Sequence, residues 1–472
     1  MKKHTSKQNL LKEPINKYIL IALLILAIIY VGFMLKSQHL IWDEYVYLSN
    51  ARSHISTAHF TEDFRFPLLE FFISGTWTLI GESVIAAQIL MILFSLSSVF
   101  AVFLLSKQFL KGKKWQLVAT AFFGLTNIMF FWNFRIYTDI PAMSCMLFSI
   151  YFFIRGMNKE KKEKFFNNFF VAGLFAALSF LFRFPIILFI IPLGIVILLK
   201  RKYKDWISFA VGSILPLLPW LLFNTIKYKN PLWDLLAQGG AVASYTSWQA
   251  PSILLKSIWG TLAFALLLLI PFSIQIYKQR KDYKIWLLSS IIIIQILFYL
   301  FVVRLKLERY QLMFLPLVIL AIIIGAENLN QYIKKKRIQQ ILAIAIIVII
   351  SIQLIITSIA QIQQTNEKAI CQTNSSLQQA ITYASTNIPA DEVISANNWP
   401  PFGYYGNHRV TSTWTTNISE LITQSGTDWI ILVENGGLEL SKEQLDAETM
   451  LHEEVSFTDI CNQKIIIYKV IL

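Results

Sequence analysis

WQLVATAFFGLTNIMFFWNFRIYTDIPAMSCMLFSIYFFI, residues 115–154, carries only two charged side chains, Arg135 and Asp139. About 20 apolar residues cross a bilayer core of roughly 30 Å, so this run is too long for one helix and suits two. A charge at the bilayer centre costs several kcal/mol, which places Arg135 and Asp139 at a surface turn between the two. The apolar runs 165–199 and 285–326 divide in the same way, the first at Arg183 and the second between Arg304 and Arg309. Three such hairpins make this a polytopic α-helical membrane protein. Working outward from them gives eleven spans, near 18–35, 83–105, 115–133, 140–154, 165–182, 184–199, 206–226, 252–276, 285–303, 310–326 and 338–359.

Composition agrees. Of 472 residues, 55% are hydrophobic and 15% charged, and 36 are Phe. A soluble protein carries about 25% charged residues. A nucleic-acid binder, a disordered chain and a disulfide scaffold are excluded, and membrane lipids are the expected surroundings. The net charge of +14 is explained by where it lies. Every second loop is a basic cluster: with the N-terminus cytoplasmic, the inner loops hold 26 Lys and Arg, the outer loops 11 and the tail five. That is the positive-inside pattern. Eleven spans then place residues 360–472 outside the cytoplasm, in a multi-pass protein of the cell membrane. No small-residue cleavage site follows 18–35, so it reads as a retained first helix.

Two domains are expected, a membrane module over 1–359 and an extracytoplasmic α/β domain over 360–472. The tail is rich in Asn, Thr, Ser and Gln, with a helical pattern at 375–387 and β-like runs at 393–396, 429–433 and 464–471. Cys371 and Cys461 stand near its two ends, and an oxidising exterior permits a bridge between them. Tyr404-Tyr405 and Trp399-Pro400-Pro401 read as domain core or membrane contact.

The first outer loop, 36–82, is too aromatic for a solvated linker. Trp42-Asp43-Glu44-Tyr45-Val46-Tyr47 and Phe64-Arg65-Phe66-Pro67-Leu68-Leu69-Glu70 suggest two short interfacial helices. Later outer loops bring Arg135 with Asp139, Arg183, and Lys306 with Arg309, so carboxylates and fixed cations gather on one surface. Singly, each has a plainer account: an ion pair of Arg135 with Asp139 closing a hairpin, or Lys306 and Arg309 snorkelling at helix ends. Together they suit glycosyl transfer from a lipid-linked phospho-sugar. There a carboxylate takes the proton of an attacking hydroxyl and cations stabilise the leaving phosphate. A desolvated Asp beside a second acid is expected to have a raised pKa, as suits a base. His54 and His59 have no Cys or clear acidic partner, and there is no DxD motif or Gly-rich phosphate loop. No metal site and no cofactor are implied.

The motifs Asp43-Glu44-x-x-Tyr47, Arg65-Phe66-Pro67-Leu68 and Leu79-Ile80-Gly81-Glu82-Ser83 resemble the first loop of GT-C fold glycosyltransferases. The likeness is to the group of protein O-mannosyltransferases and the lipid A aminoarabinose transferase. Arg135-Ile136-Tyr137-Thr138-Asp139 is similar to that group's second acidic loop, and Lys306-Leu307-Glu308-Arg309-Tyr310 to its late basic motif. The resemblance covers roughly 18–326. It implies inverting transfer from a polyprenyl- or dolichyl-phosphate sugar to a lipid, glycan or protein hydroxyl, as in cell-envelope glycosylation. Asp43 would match the base and Asp139 the second acidic position. Lys306 and Arg309 would match the basic residues near the donor phosphate, with Arg65 and Arg183 as further candidates there and Tyr310 lining the same cavity, while Glu44, Tyr47 and Arg135 would complete the donor-phosphate and acceptor contacts. Arg65-Phe66-Pro67 departs from the His-Pro or Pro-Pro of many members, and the tail lacks a Trp-Trp-Asp motif. The rival readings are a transporter or flippase of lipid-linked sugars and a non-catalytic subunit of the same fold.

Overall fold

The computed structural model describes residues 17–37, 40–56, 58, 60–158, 167–245, 248–279, 282–332, 336–372, 375–406, 408–413, 417–434, 441–459 and 461–471. Seven of its helices are long and apolar enough to cross a membrane: Lys17–Lys36, Val84–Phe109, Asp139–Met157, Ser252–Lys278, Tyr283–Phe301, Leu315–Tyr332 and Arg337–Thr357. Tyr203–Ile214 and Leu217–Tyr228, bent by 44°, make an eighth if taken as one span.

The other three expected spans fall on shorter pieces. These are Lys113–Gly124 with Asn127–Trp132, Asn168–Phe182, and a 3-10 turn Phe184–Phe189 running into Ile190–Leu199. The break at Arg183 has a local cause. Pro185 lacks the N–H that a continuing helix needs, and Arg183 is extended (φ −157°). Helix Asn168–Phe182 is also pressed against Tyr203–Ile214. A Cβ on Gly173 would stand 2.2 Å from the Phe209 carbonyl oxygen, and one on Gly212 2.2 Å from that of Phe170. Only glycine permits so close an approach, the device by which small residues bring membrane helices together.

The bundle has two unlike ends. At one, Glu327 accepts the N–H groups of Lys111 and Gly112 at 3.1 and 2.8 Å, and Asn158 joins Gln108 to Tyr283. These contacts gather the basic loops. At the other end lie the first loop, the turns before Asp139 and after Phe301, and the C-terminal sheet.

That sheet has the order β2-β1-β3-β5-β4, with β1 Val393–Ala396, β2 Arg409–Ser412, β3 Trp429–Val433, β4 Leu451–Thr458 and β5 Lys464–Val470. β1 pairs parallel to β2 and β3; β5 pairs antiparallel to β3 and β4. Side chains alternate between its faces, as the strand period of two requires. Ile431, Val433, Ile465 and Ile467 pack towards helix Ser376–Asn387, while Ile430, Leu432, Ile466 and Tyr468 pack towards helix Ile418–Ser425. The three runs expected from sequence are β1, β3 and β5.

Helix Lys336–Gln372 runs unbroken past residue 359 towards this sheet. Cys461 is disulfide-bonded, and the side chain of Cys371, its expected partner, lies outside the described residues. Cys145 is buried and free.

The short helix Trp399–Tyr405 packs on helix Trp42–Ser53 of the first loop. Trp42 meets Trp399 edge-on at 4.7 Å and Tyr45 meets Tyr405 at 5.7 Å. Arg52 donates to the Tyr404 carbonyl at 2.6 Å and lies 4.3 Å over its ring. Trp399 packs against the core of the C-terminal domain, as expected, and with Tyr404-Tyr405 it also forms a joint between the two regions.

Candidate active site

Asp43 and Glu44 open the helix Trp42–Ser53, where negative charge complements the N-terminal end of the helix dipole. Adjacent positions on a helix point about 100° apart, and these two carboxylates part company at once. Glu44 turns inward. It accepts the Ile41 N–H at 2.9 Å, the Ile136 N–H at 2.8 Å and Arg135 Nη1 at 3.0 Å. Arg135 also donates to Ser37 at 3.0 Å, and both members of the pair are essentially unexposed. Arg135 thus pairs with Glu44 and not with Asp139, which corrects the expected hairpin ion pair.

Asp43 turns the other way, into a cluster whose arginines keep some access to solvent. Its Oδ1 accepts Arg65 Nη2 at 2.9 Å and its Oδ2 accepts Arg309 Nη2 at 3.1 Å. Arg65 also donates to Glu62 at 2.7 Å. Arg309 lies 3.8 Å from Asp139 Oδ2, which accepts Arg183 Nη1 at 3.3 Å. A chain of alternating charge therefore runs Glu62, Arg65, Asp43, Arg309, Asp139, Arg183. Its acidic links differ in access: Asp43 is 15% exposed and Asp139 1%. One oxygen of Asp139, Oδ1, is buried without a hydrogen-bond partner among the described residues.

Aromatic rings hold the arginines. Arg309 lies 4.3 Å over Tyr137, Arg183 5.0 Å over Tyr310, and Arg65 5.6 Å over Tyr47. The backbone at Arg65 is pinned by its neighbour: the Phe66 ring sits among Phe180, Phe184 and Trp220 at 5.4–5.9 Å. Trp220 is itself fixed by a 2.7 Å bond to the buried Asp234.

Burial alone would raise the Asp43 carboxyl, but the charges of Arg65 and Arg309 override it and hold the group below the usual carboxylate range. The expected raised pKa is thus overturned. The acid expected to share the site, Glu44, faces away, and two guanidinium groups stand there instead.

The structure brings Asp43, Tyr47, Arg65, Asp139, Arg183, Arg309 and Tyr310 together. Lys306 stands apart: its ammonium meets the Val303 carbonyl and lies 4.7 Å over Trp248, and desolvation lowers its pKa. His54 lies 3.8 Å from Glu70, while His59 lies outside the described residues. Among the described residues, no group of three or more His, Cys, Asp or Glu is placed to hold a metal ion. Sequence reasoning assigned no site role to Glu62, Trp132, Tyr137 and Thr138, although Arg309 lies 5.7 Å over the Trp132 ring and Thr138 accepts from Arg183 at 3.4 Å. Tyr137 and Thr138 adjoin Asp139, and their neighbourhood was the available signal.

The structure of ArnT from Cupriavidus metallidurans bound to undecaprenyl phosphate is similar over 96% of this chain and 98% of that one, with a TM-score of 0.62 at 12% identity. The fold is GT-C. The Archaeoglobus fulgidus oligosaccharyltransferase shares it at TM-score 0.55 and 11% identity, over 87% of this chain and 67% of that one. So does the mycobacterial arabinofuranosyltransferase AftD, at 0.56 and 10%, over 98% of this chain and 40% of the other. At these identities the likeness is one of fold. The sequence profile described as dolichyl-phosphate-mannose-protein mannosyltransferase matches residues 65–223, a stretch containing Arg65, Asp139 and Arg183. No curated protein matches the chain by sequence.

Proposed function

We propose that this protein transfers a sugar from a polyprenyl-phosphate carrier to an acceptor hydroxyl, with inversion and with Asp43 as general base. The observation that carries the reading is the Asp43 carboxylate gripped between Arg65 and Arg309, on a GT-C fold and at the end of the bundle away from the basic loops. The positive-inside rule makes that end the outer one. A carrier lipid would keep its tail in the bilayer and its phosphate at interface depth, where these residues lie.

The same two arginines serve both halves of the reaction. In the resting cluster their charge is taken up by carboxylates. A donor phosphate arriving at Arg309 and Arg65 competes with Asp43 for them. As they turn to the phosphate, the influence that holds the Asp43 carboxyl low weakens, and its burial then favours proton uptake. Asp43 thereby becomes a better base only when the donor is present. It takes the acceptor hydroxyl proton as that oxygen attacks the anomeric carbon, while the guanidinium groups stabilise charge on the departing phosphate. Asp139, itself held by Arg183 and Arg309, orients the arginine that bridges the two acids. Arg183, stacked over Tyr310, supports Asp139, and Tyr47 packs against Arg65.

The test uses membranes containing wild type or Asp43→Asn, each given labelled polyprenyl-phosphate mannose, glucose and arabinose-type donors with host lipid and protein extract. Label moved by wild type and lost in the variant at equal expression supports Asp43 as base and reveals the acceptor class. Equal transfer by both removes Asp43 from the chemistry. Transport of the labelled lipid across the membrane without transfer would favour a flippase.

A further inference from the structure

The face of helix Trp42–Ser53 that carries Asp43 continues for two more turns. Positions three and four apart share a face, so Asp43, Tyr47 and Asn50 form one stripe, with His54 at the cap beyond it. Asp43 and Tyr47 both meet Arg65 directly. Asn50 is 4% exposed, and its side-chain bonds go to the segment that bears Arg65 and to the helix that follows, Leu68–Ile80.

Three bonds define the contact. Asn50 Oδ1 accepts the Glu62 N–H at 2.9 Å, while Nδ2 donates to the Glu62 carbonyl at 3.0 Å and to Glu70 Oε1 at 2.7 Å. The Glu62 carbonyl also accepts the Arg65 N–H at 3.2 Å, which closes the turn on which Arg65 sits. Ser49, the preceding residue, donates to the Phe60 carbonyl. Two consecutive buried side chains thus stitch the loop to the helix. An amide has two ends of similar size but opposite hydrogen-bonding sense. Glu62 and Glu70 select the same end: a carbonyl and a carboxylate require the amide nitrogen, and the Glu62 N–H requires the oxygen. Glu70 is itself 4% exposed, and burying a carboxylate is costly unless it is bonded. His54, whose Nε2 lies 3.8 Å from the other Glu70 oxygen, ends the set at the surface.

The consequence falls on Arg65. Its guanidinium is planar and rigid, with Nε on Glu62 at 2.7 Å and Nη2 on Asp43 at 2.9 Å. Fixing the turn and Nε fixes where the Nη edge points. We infer that Asn50, locked in orientation by Glu70, is a positioning residue that aims Arg65. It holds Glu62 as a pivot, about which the Nη edge passes from Asp43 to the donor phosphate. The inference rests on the transfer reading above and deepens it. Asn50 acts through Glu62 and Arg65, not on the reacting groups.

The test separates aiming from plain support by combining variants. Transfer is followed in membranes holding the full-length chain, with labelled polyprenyl-phosphate mannose, glucose and arabinose as donors. The acid limb of kcat/KM is recorded for wild type, Asn50→Leu, Arg65→Gln and the two substitutions together. A guanidinium beside a carboxylate lowers its pKa by about 1–3 units. A misdirected Arg65 forfeits the lower part of that range, so Asn50→Leu is expected to raise the limb by about one pH unit. In the Arg65→Gln background it is expected to add nothing. A limb that Asn50→Leu leaves in place overturns the role. So does a shift that persists without Arg65, because a plainly structural Asn50 would act regardless of that residue. A second comparison stands even where Asn50→Leu does not fold. Asn50→Asp with Glu70→Gln conserves the charge of the pair, keeps an acceptor for the Glu62 N–H and makes residue 70 the donor. This double variant is expected to hold the wild-type limb, whereas Asn50→Asp alone sets two carboxylates face to face and raises it. Equal limbs in the single and double variants overturn the clamp. Wild type that transfers no sugar removes the transfer reading and this inference with it; wild type that transfers, with limbs that do not respond, removes the inference alone.

Discussion

Asp43 and Glu44 are consecutive acids on one helix turn, and the protein uses them in opposite ways. Glu44 is sealed, with its accepted bonds coming from two backbone N–H groups and one arginine, so nothing about it is free to exchange. Asp43 is shared between two arginines that each have a second carboxylate nearby, so its partners can be redistributed at modest cost. A buried pair with fixed partners makes structure, whereas a charge chain with alternatives makes a site that a phosphate can enter. Orientation about the helix axis separates the two roles more sharply than chemistry does.

Substitution at each position should break or confirm that contrast. Asp43→Asn keeps the shape and removes the proton acceptor. Turnover in the membrane transfer assay should fall about 10²- to 10⁴-fold, the span of general-base catalysis, with expression and melting temperature near wild type. Glu44→Gln should do the reverse, because it leaves Arg135 buried without its counter-charge. A loss of about 3–5 kcal/mol in stability is expected, read as reduced yield of folded protein in detergent. Replacing the pair together, as Glu44→Leu with Arg135→Met, should restore most of it.

A smaller effect sharpens the account of Asp43. Its pKa is depressed in the folded protein, so its charge favours folding above the ordinary carboxylate pKa, and that contribution is lost as pH falls through the depressed value. The acid limb of kcat/KM, which reports the free enzyme, should accordingly lie below the usual carboxylate range. In Arg65→Gln one restraining charge is gone and burial counts for more, so the limb of kcat/KM should move to higher pH. A limb that stays in place would mean that Arg65 does not set the state of Asp43. The mildest change is Trp399→Leu, which keeps apolar bulk against Phe60 and the domain core but loses the edge-on aromatic contact with Trp42. It should weaken docking of the C-terminal domain by about 0.5–1.5 kcal/mol, read as faster proteolysis of the tail with little change in Asp43 chemistry.

Much of this was readable in the chain. The spans follow from apolar runs interrupted by charge, and the three central strands from short continuous stretches such as Trp429–Val433 and Ile465–Tyr468. β4 was not, because Leu451–Thr458 is an edge strand with His452, Glu453, Glu454, Ser456 and Thr458 all turned to solvent. Its sequence carries too little apolar signal. β2 is four residues long and also lies at an edge. The site was legible as a list of charged residues and illegible as pairings. Sequence places Arg135 four positions from Asp139, which invites a local pair, yet the fold sends it to an acid 91 residues away. Partner choice depends on how the first loop threads between later helices, and no local pattern encodes that. The depressed pKa of Asp43 was missed for the same reason, since it arises from Arg65 and Arg309, and Arg309 is 266 residues distant in the chain.

The bond from Arg52 to the Tyr404 carbonyl also has a meaning in time. Its two ends are 352 residues apart. At a synthesis rate of about 5–20 residues per second, the helix bearing Asp43 waits on the order of tens of seconds before Trp399–Tyr405 exists to cover it. Through that interval Trp42 and Tyr45 have no aromatic partner from the tail, and the membrane surface is the apolar phase within reach. The nascent helix should therefore rest on lipid first and exchange it for protein last, which makes closure of the joint a late event in the biogenesis of the molecule.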